Sequence, residues 1–277
     1  MFRPSDIIID AFVKRLTADY VGAFGDGNGA QIDTIVHVAR MSLNRIARSN
    51  ALYHNIDHTM LVTLVGQEMM RGRMVRDGDV PPGDWINFVA SLLCFAVGFS
   101  RGACPGDDGD RLVVGDDGAV VTPPRGATDG WLWPHFTDRS KIFVRHYFRD
   151  HPMLNAEAMA ANIEYSRFPP PTDRNHETAT YPGLLRAAHL IGAVADPNFV
   201  LKMPPLMQEL EESGMAALLG YADVADFRIG YPKLFWDVLH PRIADGMALL
   251  TYTGEGRGWL ANMHAHLLSE EHRGQIA

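Results

Sequence analysis

Apolar residues recur at helical spacing along most of the chain. Residues 32–49 place Ile35, Val36, Val38, Ala39, Leu43 and Ile46 on a stripe one face wide. Met60, Leu61, Leu64, Val65 and Met69 repeat the pattern, and Arg71, Arg73 and Arg76 follow where cations oppose the dipole of a helix C-terminus. Pro81-Pro82-Gly83 ends that element and Asp84 is placed to cap the next. Residues 85–99 are apolar almost all round, which predicts a central, fully surrounded helix. Asp138 is expected to cap a helix through Phe143 and Tyr147, and Asn155 one through Met159, Ile163 and Tyr165. Helical patterns continue over residues 181–195, 204–219, 223–250 (broken near Pro232 and Pro241) and 257–269. The pattern predicts an all-α fold forming one domain over residues 1–277.

One stretch breaks the pattern. Residues 102–134 are rich in Gly and Pro and hold five Asp between Asp107 and Asp117. Two short β-type runs flank Gly115-Asp-Asp-Gly118, so a short β-hairpin is expected at 111–122. A long loop inside a helical domain is more often a lid or binding loop than idle. The five acids lack the alternating register of a calcium loop and read as a solvated turn.

Composition narrows the class. The chain has 277 residues, 47% hydrophobic, with 25 Lys and Arg against 33 Asp and Glu for a net charge of −8. That balance argues against a nucleic-acid backbone or an anionic membrane as partner. The first ten residues carry acids among their isoleucines and do not read as a signal peptide, and the apolar run at 85–99 falls short of the ~20 residues of a spanning helix. A cytoplasmic protein is the expectation. Cys94 and Cys104 are too few for a disulfide scaffold; Cys94 falls in the buried helix and the setting of Cys104 is open.

The sharpest local feature is Tyr53-His54-Asn55-Ile56-Asp57-His58, two histidines four apart at the entry to an amphipathic helix. On a helix they share a face. They can ligate one metal, or one can ligate while the other moves a proton, or they can simply be partly solvated residues at a capped helix start.

Tyr-His-Asn-x-x-His followed by a helix resembles the entry to the HD-domain phosphohydrolases, which include the cyclic-nucleotide phosphodiesterases. The resemblance runs from about Ser49 to the C-terminal helix. It is strongest over residues 52–108 and 162–197, where Arg101-Gly-Ala-Cys-Pro-Gly-Asp107-Asp108, residues 162–168 and Ala195-Asp-Pro197 are similar to a bacterial branch with an inserted loop. It implies an HD/phosphodiesterase-like helical bundle with an insertion at 102–136. It also implies His58 as a metal ligand, His54 as proton donor, a His-Asp pair on a buried helix and a final Asp on a later one. The sequence departs at those last positions. Phe95-Ala96 stands at the His-Asp pair and His189 at the final Asp, so only His58 is unchanged among four ligands. A divalent ion of this class needs several hard ligands in fixed geometry. The departures therefore imply a degenerate member that has lost two-metal phosphoester hydrolysis, with no cofactor, and that binds a small organic ligand or a protein partner.

The alternative is a rebuilt site in which His54, His58 and His189 hold a single zinc or other divalent ion, with His135 or His146 as an added ligand. It would serve a hydrolase, or, without metal, an acid–base enzyme using His54. His189 can equally be a buried histidine bonded to a neighbour. Trp131, Trp133, His135 and Phe136 precede the expected helix at Asp138, and Phe95 and Phe99 lie under the expected site. These rings either wall a pocket, with Asn55 near its entry and Arg101, Arg139 or Arg167 at its rim, or pack as a plug. Glu164 and Arg167 form a surface pair or, in a pocket, hold an anion. A purely structural role has no specific sign.

Overall fold

The amphipathic stripes become helices whose ends are set by local chemistry. The computed structural model describes residues 3–78, 80–171 and 177–276. Helices α1 (Pro4–Phe24), α2 (Gly29–Ile46), α3 (Ile56–Asp77) and α4 (Pro82–Cys94) form the first half. They are followed by α5 (Phe136–Tyr147), α6 (Ala156–Glu164), α7 (Tyr181–Val194), α8 (Phe199–Glu212), α9 (Met215–Leu219), α10 (Val224–Leu234), α11 (His240–Leu250) and α12 (Gly254–Ile276). The fold is all-α. The hairpin is present, with β1 (Leu112–Val113) and β2 (Val120–Val121) antiparallel in the register Leu112↔Val121 and Val113↔Val120.

α3 is the axis of the bundle, packed on α7, α4 and α11, while α5 lies on α6 and α1 on α2. Asn55 starts α3 by accepting the His58 backbone N–H at 3.2 Å, and Gly78 ends it at φ 82°, its N–H donating to the Met74 carbonyl. One continuous apolar cluster runs from Ile9 to Leu267. Residues 82–99 are the one described stretch apolar and long enough to cross a membrane, and 78% of that window is buried inside the bundle. Its apolar surface is covered by protein, as the all-round pattern predicts.

Several boundaries differ from expectation. The helix expected over 85–99 stops at Cys94 and gives way to a 3-10 turn at Val97–Phe99. The Ser140 hydroxyl donates to the Phe95 carbonyl at 2.7 Å and accepts the Gly98 N–H at 2.8 Å, taking over bonds a continuing helix would make. Asp84 and Asp138 are not caps but stand in the first turns of α4 and α5, where a carboxylate still favours the helix dipole. Asn155 does cap α6, accepting the Ala158 N–H at 3.0 Å. The 204–219 helix begins earlier, at Phe199, runs through Pro204 and Pro205, and is split at Gly214, whose φ is 79°. Between Pro232 and Pro241 the chain makes a wide π turn at Phe235–Leu239, which is the expected break. α1 was not anticipated from the sequence, although its buried residues Ile9, Phe12, Val13 and Leu16 hold helical spacing behind the exposed Ile7 and Ile8.

Gly98 holds the site's backbone in place. A Cβ there would lie 2.0 Å from the Phe136 carbonyl oxygen, so α5 can approach only a glycine. Gly98→Ala is expected to cost about 3 kcal/mol, at the upper end of overpacking effects, read as a fall in the urea midpoint at unchanged slope. A midpoint within error of the wild type would contradict the close approach.

Candidate functional site

His54, in the loop before α3, His58 on α3 and His189 on α7 come together in the interior. Their nearest ring nitrogens all lie within 4.8 Å of one another, and all three residues are buried. Among the described residues this is the one such group of three or more His, Cys, Asp or Glu. His54 is not on the helix as the four-residue spacing suggested; it reaches His58 because Asn55 turns the chain into α3. The ring centroids of His54 and His58 are 5.2 Å apart, those of His58 and His189 5.4 Å.

His54 is the most tightly held of the three. Its Nδ1 lies 2.6 Å from Glu209 Oε2, in a pair with almost no solvent exposure. The other oxygen, Oε1, accepts the backbone N–H groups of Tyr53 at 2.6 Å and His54 at 3.2 Å. Phe99 stacks on the imidazole at 4.2 Å and 15°, Phe136 stacks on Phe99 at 4.6 Å, and Trp133 meets His54 edge-on at 4.6 Å. His58 Nε2 is buried without a hydrogen-bond partner among the described residues.

Electrostatics keep two of the rings neutral. Burial first, then the neighbouring His54 and His189, push His58 well below the ordinary histidine range. Burial, then His54, lowers His189 to about 3. Burial also pushes the Tyr53 hydroxyl up, with Asp196 and Glu209 acting in the same direction.

The two-metal centre that the sequence resemblance implies does not fit these residues. Phe95 and Ala96 are fully buried and offer no ligand atom. The Phe95 ring packs against both remaining histidines, 4.9 Å from His189 and 5.9 Å from His58. The ligand nitrogens of the trio lie within 4.8 Å of one another. Two ligands of a tetrahedral zinc with bonds of ~2.0–2.1 Å stand only ~3.3 Å apart. A single ion held by all three imidazoles would set their nitrogens at that spacing.

A cavity of about 80 Å³ adjoins the trio. His54, His189, Tyr53 and Trp133 stand in its wall, and Phe199, Leu210, Phe227, Tyr231 and Leu239 from the α8–α11 region complete the apolar side. Its wall extends to half-buried Phe168, Leu206 and Leu219, so it communicates with the surface. No Lys, Arg, Asp or Glu is part of this lining.

Other expected pocket residues lie elsewhere. Arg139 is not at a rim: it is fully buried and pairs with Asp107 at 2.9 Å. It also donates to the carbonyls of Gly98, Ser100 and Val113, which uses all five of its N–H groups and clasps the insertion to α5. The insertion is therefore fastened to α5 at Asp107 and Val113. Arg101 binds Asp129, Asp110 and the Ala127 carbonyl beside a separate polar cleft. Arg167 binds Glu164 and Asp138, and Lys141 binds the same two carboxylates, an ion network none of whose members is in the cavity lining. Asn55 is occupied as a cap, and Trp131 packs near His135 outside the lining. His135 is half-buried at the start of α5 and His146 is exposed beside Tyr147, so neither joins the trio. Cys104 is buried, with its thiol pushed up to about 12 by burial and donating to the Arg139 carbonyl. Cys94 is likewise raised by burial.

Sequence reasoning missed Glu209, Tyr231 and the α8–α10 wall. A signal for Glu209 was present: it is three residues after Leu206 and next to Leu210, a carboxylate on a stripe that otherwise buries apolar side chains.

No curated protein and no solved structure matches the chain. A family model described as Npun_R2479-like matches residues 2–273, and since that span is nearly the whole sequence, the chain belongs to the Npun_R2479-like family.

Proposed function

We propose that the protein is a non-hydrolytic relative of the HD-domain phosphohydrolases that binds a small organic ligand in the aromatic-walled cavity beside its former metal position. The observation that carries this reading is the Phe95 ring, packed against His58 and His189 where a metal-binding pair would stand. The apolar cavity next to it has the character of a ligand site, concave and walled by aromatic rings with a few polar groups. The all-α bundle, with α3, α4 and α7 in mutual contact, supports the HD-like reading.

Metal uptake tests it. After equilibration with zinc, manganese or iron and gel filtration, the wild-type protein is expected to retain well below one ion per chain and to leave generic phosphodiesters intact. The double variant Phe95→His/Ala96→Asp restores an imidazole and a carboxylate beside His58 and is expected to retain about one ion per chain. A double variant that folds but retains no ion would contradict the HD-like placement of the site.

A second reading rests on the convergence of the trio and on the Glu209 contact, which orients His54 as a carboxylate orients a ligating histidine. In it, His54, His58 and His189 close on one zinc and serve a hydrolase. Stoichiometric zinc in the wild type, lost in His58→Ala, would establish it in place of the first.

A further inference from the structure

A polar cleft stands at the C-terminal end of α2 and shares no residue with the lining of the histidine cavity. Its volume is about 360 Å³, within the ~300–1,000 Å³ of small-molecule sites. Arg45, Arg48, Ser49 and Asn50 form one side, and the Ser100–Gly102 turn with Asp129 forms the other. A neighbouring hollow of about 380 Å³ shares Arg45 and Arg48 and adds His37 and Arg40.

The charges of this wall do not balance. Arg40 is paired with Asp10, and Arg101 with Asp129 and Asp110. Asp129, the one carboxylate in either lining, also accepts the Asn50 N–H at 3.3 Å. Arg45 and Arg48 have no carboxylate partner among the described residues. The α2 end does not use them as caps either. The Leu43, Arg45 and Ile46 carbonyls already accept the N–H groups of Ala47, Arg48 and Ser49. Arg45 is instead held by two rings, its guanidinium lying 5.2 Å from the Phe143 centroid and 4.7 Å from that of Tyr147. Stacking of this kind fixes a guanidinium while leaving the N–H groups at its edge for an oxyanion. Arg48 is exposed and unpaired beside it. A chain of net charge −8 thus keeps two uncompensated guanidinium groups in the wall of one cleft.

Two such groups match one ligand class. A phosphate monoester carries about −1.5 to −2 at neutral pH and has three acceptor oxygens, whereas a monocarboxylate would leave one cation uncompensated. We infer that the cleft is a second ligand site, one that takes the phosphate group of a small organic phosphate between Arg45 and Arg48. The inference is independent of what occupies the histidine cavity.

NMR titration at low ionic strength tests it with phenyl phosphate, benzoate and benzyl alcohol. Phenyl phosphate is expected to shift the Gly102 and Asn50 backbone N–H resonances saturably, benzoate to bind about tenfold more weakly, and the alcohol not to bind. Arg45→Gln and Arg48→Gln are each expected to weaken phenyl phosphate about tenfold, the loss of one charged hydrogen-bonding contact. Arg149→Gln removes an exposed arginine outside both clefts and is expected to leave the affinity unchanged. Equal affinity for phenyl phosphate and benzoate would overturn the phosphate class. Absence of a saturable shift, or equal weakening by Arg149→Gln and Arg48→Gln, would overturn the site itself.

Discussion

Replacing Glu209 with alanine is expected to lower stability by about 3–5 kcal/mol, the cost of breaking a buried charge contact from one side. In a chain of this size that is a fall of ~10 °C in melting temperature. The carboxylate joins three parts of the fold. It accepts the N–H groups of Tyr53 and His54, meets His54 Nδ1 at 2.6 Å, and its Cγ would stand 2.6 Å from a Cβ added at Gly130. Its removal leaves two backbone donors and an imidazole nitrogen without a partner in the interior. Glu211→Ala, two residues on and exposed, is the control and is expected to shift stability by less than ~0.5 kcal/mol. Equal, small effects of the two substitutions would mean that α8 does not anchor the site through Glu209.

A second large effect is expected on acidification. His189 is held near 3 by burial, and His58 is lowered in the same direction, whereas both titrate near 6.5 in the unfolded chain. Between those values the unfolded state binds more protons. Stability is therefore fully present above about pH 6.5 and is lost as pH falls toward 3. At pH 5, His189 alone accounts for about 2 kcal/mol, with His58 adding to it. His135, half-buried, acts in the same sense, so the comparison that isolates the trio is with His189→Leu. Urea unfolding at pH 7.5 and 5.0 is expected to show a smaller loss in the variant than in the wild type. Equal losses in both would mean that His189 does not sit in a dry, low-dielectric setting.

The helices were largely legible in the sequence because one buried face leaves a periodic trace, as at Ile35, Val38, Ala39 and Leu43. Their ends were less so. The stop after Cys94 depends on the Ser140 hydroxyl from α5, a contact between residues far apart in the chain. The candidate site divides the same way. His54, His58 and His189 stood out by residue type, but their approach to one another depends on the packing of α3 against α7, where a Cβ on Gly192 would come 2.9 Å from Val62 Cα. Arg139 shows the converse: an arginine beside a loop of acids reads as a rim cation, and only its five bonds reveal an internal clasp. Tyr231 and the rest of the α8–α10 wall gave no local signal, since an aromatic lining a cavity and one filling a core have the same pattern.

Crystals grown with zinc, measured at its absorption edge, test the central claim most directly: that an apolar cavity has replaced a metal centre. The account predicts no anomalous peak among the three imidazoles, the Phe95 ring packed against both His58 and His189, and any ordered non-protein density lying in the cavity walled by His54, His189 and Trp133. An anomalous peak ~2.0–2.1 Å from nitrogens of His54, His58 and His189, with Phe95 swung aside, would contradict it.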